Sequence, residues 1–363
     1  MNIMPGTDYL KGKKVLLRCD FDVPVSADGV IQEVFRIQKQ KPMVDYLVKG
    51  GAVTVMAAHI SDEDTGSFND LIPQLRKILG HEIKYFDALN DLEGLKRLEP
   101  GSLGIFHKLR DYKEEIKNDK KFAKKLSEGF DIYINNAFAA CHRNHASVSA
   151  ITEFLPSYAG FLVEDEVREL KKVMDAPRDG KLVIIGGAKA ETKVPVIKNF
   201  ADKAEKVIVG GIVANDILKE KGLDIGDSIA DKNTKELLAG MDLNNNRLIL
   251  PEDFNISDNK FFDIGPKSIA KYRDLIKNAK IIIWNGPLGM FEDPRFNSGT
   301  NSMAQAIADS GAFKVIGGGD TITAVNKLGL LDKFDFVSTG GGAMLAFLAG
   351  QKLPGLEALG YYG

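Results

Sequence analysis

The chain has 363 residues, with 48 Lys and Arg against 50 Asp and Glu, for a formal charge of −2. That balance excludes a general nucleic-acid binder, which carries a basic excess, and 44% hydrophobic with 27% charged residues is ordinary globular usage, neither disordered nor fibrous. No apolar run approaches the ~18 residues of a membrane span, no cleavable signal pattern opens the chain, and two cysteines, Cys19 and Cys141, build no disulfide framework, so a cytoplasmic protein without a membrane or nucleic-acid partner is expected.

In chain order, short β-rich runs alternate with helical patterns. Strands are predicted at 14–18, 52–58, 103–106, 131–135, 182–186, 206–210, 247–250, 280–285, 313–317 and 334–338. Most are continuous apolar runs, which suits strands covered on both faces. Between them, 69–80, 119–130 and 299–311 place apolar residues at helical spacing. The alternation predicts an α/β fold with mostly parallel sheets. Ten strands are many for one sheet, so two domains are expected, joined by a charged helix that Pro177 and Gly180 close. The boundaries read as 1–160 for an N-terminal domain, 161–178 for the joining helix, 179–345 for a C-terminal domain and 346–363 for a tail.

In open parallel sheets, ligands bind at the carboxyl ends of the strands. In the first half those ends carry Arg18, Asp20 and Asp22, then His59, then His107, Lys108 and Arg110, then Asn135 and Asn136 leading to His142, Arg143 and His145, with Arg36 after the first turn. Such a gathering of Arg and His suits a phosphate or carboxylate pocket. In the second half they carry Gly186-Gly187-Ala188-Lys189, Gly210-Gly211, Asn285-Gly286-Pro287, Gly317-Gly318-Gly319-Asp320 and Ser338-Thr339-Gly340-Gly341-Gly342. Glycine lets a backbone approach a ligand closely, and the helix starts that follow offer N–H groups to phosphate. Asp320 reads either as a helix cap or as a ligand to a metal riding on a polyphosphate. GxxxxGK[ST], GxGxxG after a strand and the protein-kinase signatures are absent. The residues alone thus describe an anionic substrate on a basic first domain, a nucleotide on a glycine-rich second domain, and a reaction between them.

RCDFDVP, HRNHAS, GGAKAETK, DIGP, IIIWNGPLGMFE, GGGDT, STGGGA and LPGLEAL, in this order over essentially the whole chain, resemble the phosphoglycerate kinase family. The resemblance implies two Rossmann-like three-layer α/β/α domains joined by a hinge helix, with a tail returning to the N-terminal domain. It implies reversible transfer of a phosphoryl group between 1,3-bisphosphoglycerate and ADP, giving 3-phosphoglycerate and ATP, with Mg²⁺, by hinge closure in a cytoplasmic monomer. Arg36, Lys189, Gly319 and Gly342 would be catalytic. Asp20, Asp22, Arg36, His59, Arg110 and Arg143 would hold the triose. Lys193, Asn285, Glu292, Gly317, Gly318, Gly319, Asp320 and Thr321 would hold the nucleotide, with Asp320 near the metal.

The triose half departs from the family pattern. Asp22 stands where the family has Asn, and Ile60-Ser61-Asp62-Glu63-Asp64 replaces the stretch that carries Gly-Arg-Pro after His59. His107-Lys108 replaces Glu-Asn, Asn135-Asn136 replaces Asn-Asp, and Asn215-Asp216 stands near the usual Thr-Phe. One cation lost and several anions gained predict weak 3-phosphoglycerate affinity or a shifted substrate. Two alternatives follow: a catalytically impaired nucleotide-binding sensor or scaffold, and a kinase acting on another carboxylate acceptor.

Overall fold

The computed structural model describes every residue except 3, 62–66 and 90; the acidic stretch 62–64 therefore lies outside the described residues. All ten apolar runs form strands, with ends moved by at most two residues. The first sheet contains β1 (Lys14–Arg18), β2 (Val53–Ala57), β3 (Ile83–Phe86), β4 (Leu103–Phe106), β5 (Ile132–Asn135) and β6 (Ser157–Ala159), in the order β3-β4-β2-β1-β5-β6. The second contains β7 (Lys181–Ile185), β8 (Lys206–Val209), β9 (Leu248–Ile249), β12 (Ile281–Asn285), β13 (Phe313–Gly317) and β14 (Phe336–Ser338), in the order β14-β13-β12-β7-β8-β9. Every pairing within these two sheets is parallel. An antiparallel hairpin of β10 (Phe254–Ser257) and β11 (Lys260–Ile264) stands apart from them.

The apolar runs are continuous because each sheet is packed on both faces. Val15, Leu17, Met56, Ile132 and Ile134 join one cluster of the first sheet, while Leu16, Val53, Val55 and Tyr133 join another. Successive side chains alternate faces, so a strand buried on both sides leaves no polar position to read as alternation. In the second sheet Leu182, Ile184, Ile208, Ile282, Trp284 and Ile316 share one cluster, and the intervening Val183, Ile185, Val207, Ile283 and Val315 are fully buried too.

Four strands carry no such signal. β3 (IKYF) is an edge strand with an exposed Lys84, and β6 is three residues long. The hairpin is only partly buried, and its turn rests on Asp258 and Asn259, whose φ angles are 49° and 59°. Short polar side chains tolerate this left-handed region better than most.

Two compact units result, Met1–Arg168 with Lys352–Gly363, and Glu169–Gln351. The division falls inside one 15-residue helix, Phe161–Asp175. Parallel strands put the residues that follow them along one edge of each sheet. Among the described residues, no helix is long and apolar enough to cross a membrane.

Candidate active site

In the first unit, the centre of the strand-end cluster is a buried arginine. Arg18 closes β1 and is 1% exposed. Its guanidinium donates to Ser147 Oγ at 2.9 Å, to the Cys19 carbonyl and to His59 Nδ1 at 2.8 Å. Its charge faces the buried Glu115 through one residue, for Glu115 accepts from Ser147 Oγ at 2.6 Å and Ser147 N at 2.8 Å. Arginine has no acceptor atom, so His59 Nδ1 must accept and the proton of the neutral ring sits on Nε2. That nitrogen lies 3.5 Å from Asp22 Oδ2. Burial, opposed by the hydrogen bond the ring donates to Asp22, pulls the His59 pKa down to about 3, so at neutral pH the ring is an uncharged donor.

Asp22 also accepts from Ser61 N at 2.7 Å and from Ser61 Oγ at 3.2 Å. Although its partial burial pushes the other way, these donors together hold its carboxyl well below the usual range. The sequence presents Asp22 as an uncompensated anion; the structure shows it satisfied by three donors. Arg110 Nη1 donates to the same Ser61 Oγ, which makes Ser61 a bridge from Asp22 to Arg110. Desolvation, together with nearby Arg143, pulls the Arg110 pKa down to about 10. Arg143 itself is exposed.

Arg36 Nη1 donates to the Asp22 carbonyl at 2.9 Å and stands 3.9 Å from Asp20 Oδ2. Asp20 Oδ1 accepts from Asp22 N at 3.2 Å. Among the described residues, the buried Asp20 Oδ2 and Arg110 Nε have no hydrogen-bond partner. Unmet buried groups are rare in native proteins and call for a ligand or water; an acceptor beside a cationic donor suits a hydroxylated carboxylate or phosphate ester.

The other departures from the family pattern divide differently. His107 is bound to Tyr85 Oη at 2.9 Å and to Asp111 at 2.7 Å, and Lys108 Nζ lies 3.9 Å from that same carboxylate. Asn135 and Asn136 are fully buried and hold backbone and core together: Asn135 accepts from Ala137 N at 3.0 Å, and Asn136 spans from Gln40 at 2.9 Å to Leu162 N at 3.0 Å. Sequence reasoning passed over Ser61, Ser147 and Glu115 as site components. HRNHAS contains Ser147, but Glu115 lies in the polar run KEEI and carries no local signal.

In the second unit, the ends of β7 and β12 are zipped together. Gly186 N donates to Asn285 O at 2.9 Å and Gly187 N to Pro287 O at 2.6 Å. A Cβ on Gly286, whose φ is 92°, would fall 2.0 Å from Gly186 O, so only glycine fits there. Thr321 is fully buried, and its Oγ1 accepts from Gly286 N at 2.7 Å; the threonine ties the β12 loop to the helix Gly319–Lys327. Gly318 N-caps that helix, and a Cβ on Gly341 would meet Gly318 Cα at 3.0 Å. The starts of the helices Gly319–Lys327 and Gly341–Leu348 are thus neighbours, and neither has a side-chain cap. Gly342 is exposed at the second of them, and Gly317 closes β13 beneath the loop.

Lys189 begins the helix Ala190–Phe200 at φ 65°, a left-handed conformation unusual for lysine, and its side chain is exposed. One turn on, Lys193 is 7% exposed and donates to Gly186 O. Burial pulls its pKa down to about 8, with Asp320 opposing the shift and Lys189 adding to it. Among the described residues, the buried Asn285 amide nitrogen has no hydrogen-bond partner. Beside these groups lies a cavity of about 340 Å³, walled by Gly187, Gly211, Ile212, Phe254, Leu288 and Met290 among others, with the exposed Glu292 and Asp320 also on its lining. An apolar slot, a rim carboxylate, two lysines and uncapped helix starts are the chemistry that suits a base, a ribose and phosphates.

Comparison with known proteins gives the family of the chain. The family model for phosphoglycerate kinase matches residues 7–351. The phosphoglycerate kinase of Prochlorococcus marinus (strain MIT 9515) is 38% identical over 388 aligned residues, covering 96% of each sequence. That of Clostridium botulinum (strain Eklund 17B / Type B) is 36% identical over 383, again with 96% of each covered. Among solved structures, phosphoglycerate kinase from Pyrococcus horikoshii OT3 superposes with a TM-score of 0.85 and that from Coxiella burnetii with 0.83, each at 31% identity and 97% coverage of both chains.

Proposed function

The chain belongs to the phosphoglycerate kinase family, and on that premise we propose how its residues divide the reaction. The enzyme transfers a phosphoryl group between 1,3-bisphosphoglycerate and ADP, with the carboxylate of 3-phosphoglycerate as acceptor in reverse. On the first unit, Arg36, Arg110 and Arg143 neutralise the triose anions, Asp20 Oδ2 accepts from its hydroxyl, and His59 donates as a neutral ring. On the second, the apolar slot takes the base, Glu292 the ribose, and Lys193, Asn285 and the N–H groups of Gly317, Gly318, Gly319 and Thr321 the phosphates.

Phosphoryl transfer asks little covalent chemistry of a protein; it asks for alignment and neutralised charge. Lys189 contacts the transferring group, Arg36 steadies it from the acceptor side, and the N–H groups of Gly319 and Gly342 take the charge on its oxygens. Mg²⁺ suits the donor set. Among the described residues there is no cluster of three or more metal-ligating side chains, and one exposed carboxylate, Asp320, is the ordinary protein share for an ion that keeps waters and phosphate oxygens. When bound by Asp320, Mg²⁺ would spread the negative charge of the polyphosphate. The two ligands meet by hinge closure about the helix Phe161–Asp175, which sheds the water that would hydrolyse an acyl phosphate. Free, buried thiols at Cys19 and Cys141 support a reducing cytoplasm, and a monomer suffices for this chemistry.

One observation carries the assignment: Lys193 is buried in the first turn of a helix with no side-chain cap, within reach of the opposing charges of Lys189 and Asp320. The test is ATP consumption with Mg²⁺ across a range of 3-phosphoglycerate concentrations, beside Lys189→Ala. Saturable turnover that falls about 10²–10³-fold in the variant, the loss expected for a preorganised donor to developing charge, supports the reading. Equal turnover in both proteins sinks it.

A further inference from the structure

Residues 224–231 have no regular secondary structure, yet they are stitched down on two sides. From the helix Gly211–Glu220, Asn215 Nδ2 donates to Ile229 O at 2.9 Å and Asp216 Oδ1 accepts from Asp231 N at 2.7 Å. From the β10–β11 hairpin, Phe261 N donates to Ser228 Oγ at 2.8 Å, and Asn259 O accepts from Asp227 N at 2.8 Å. Asn215 is 5% exposed and Asp216 fully buried, so both side chains are withdrawn from solvent. Ile229, whose carbonyl is the first of these anchor points, has its side chain 68% exposed and on the wall of the cavity.

A large aliphatic side chain that exposed has little intrinsic reason to stay in place; here its own carbonyl and the amide two residues on are both held. Consecutive helix residues diverge by about 100°, and that is how Asn215 and Asp216 grip two separate points of the segment. We propose that Asn215 and Asp216 are positioning residues for the nucleotide: they hold the segment as a strap, so that Ile229 closes one side of the slot against a flat heterocyclic base. The strap acts on binding, not on transfer, because it lies on the apolar slot and Lys189 does not. This deepens the kinase assignment and rests on it.

The experiment measures ADP affinity by calorimetry, and KM and kcat for both substrates, on the full chain. Asp216→Ala and Asn215→Ala should each weaken ADP about five- to tenfold, the loss that goes with one net hydrogen bond, with the 3-phosphoglycerate KM and kcat within twofold of the parent. Asp216→Asn keeps an acceptor oxygen for Asp231 N and should restore ADP affinity to within about twofold. Ile229→Ala, which removes a 68% exposed side chain and no hydrogen bond, should weaken ADP to a similar degree; it decides the matter if the helix variants misfold. Unchanged ADP affinity in folded Asp216→Ala or in Ile229→Ala overturns the proposal, as does an equal rise in both substrate KM values. Failure of the kinase reading looks different: the parent protein would then bind ADP without turning over 3-phosphoglycerate.

Discussion

Asp22→Asn is the most informative single change, because it moves affinity and stability in opposite directions. Ser61 Oγ touches both Asp22 and Arg110, so an anion held by Arg110 would lie about 6 Å from the Asp22 carboxylate. At that separation and an effective dielectric of about 20–40, the repulsion is about 1.4–2.8 kcal/mol. Screening by salt favours the lower end, about tenfold in affinity. Removing the charge should therefore lower the half-saturating 3-phosphoglycerate concentration about tenfold. The fold loses at the same step. An Asn can still accept from Ser61 N, but its NH₂ group would face His59 Nε2–H, and Arg18 prevents the ring from switching tautomer. Losing a charge-assisted bond at a partly exposed site costs about 1–2 kcal/mol, or about 3–6 °C in melting temperature for a unit of this size. The assay is initial rate against 3-phosphoglycerate at saturating ATP, paired with calorimetric melting of both proteins. A KM that stays level or rises, or a melting temperature that does not fall, would refute the reasoning.

Three further outcomes are expected. Gly286→Ala must place a Cβ 2.0 Å from Gly186 O at φ 92°, which strain and overpacking make about 3 kcal/mol unfavourable; denaturant titration should show that loss together with weakened ADP binding. His59 titrates near 6.5 when unfolded but at about 3 when folded, so between those values the unfolded chain binds more protons; stability from this residue is complete above about pH 6.5 and falls by about 1.4 kcal/mol per pH unit below it, and His59→Gln should flatten that slope in urea titrations from pH 7 to 4. Lys193, with a pKa of about 8 in the free protein, is charged below that pH and must regain a proton to meet phosphate above it; ADP affinity should be level up to about pH 8 and then decline toward tenfold per unit, a slope absent in Lys193→Met.

Much was legible without the fold. The continuous runs KVLLR, LVIIG and KIIIWN announce strands buried on both faces, and such strands make parallel sheets. The glycine-rich strand ends mark where backbones come close together, and Gly286 is one such place, since a Cβ there would fall 2.0 Å from Gly186 O. β3 and β6 were less readable because edge strands need no continuous apolar run.

By itself, then, the sequence determined the layered α/β class and the family, and it set the candidate site residues at strand ends. These follow from local periodicity and from residue types that one conformation demands. Only the tertiary structure decided what each charge meets. Parallel register sets Arg18 beside Ala57 and thereby brings His59 and Ser61 to the end of β1; a reading of RCDFDVP alone leaves Asp22 an uncompensated anion, whereas in the fold it has three donors. Lys193 and Asp320 are brought together in the same way, by β13 lying next to β12 and β12 next to β7. The physical reason is range: periodicity is set by neighbours a few residues away, while the protonation state and bonding of a buried charge depend on groups that sheet register delivers from tens of residues away.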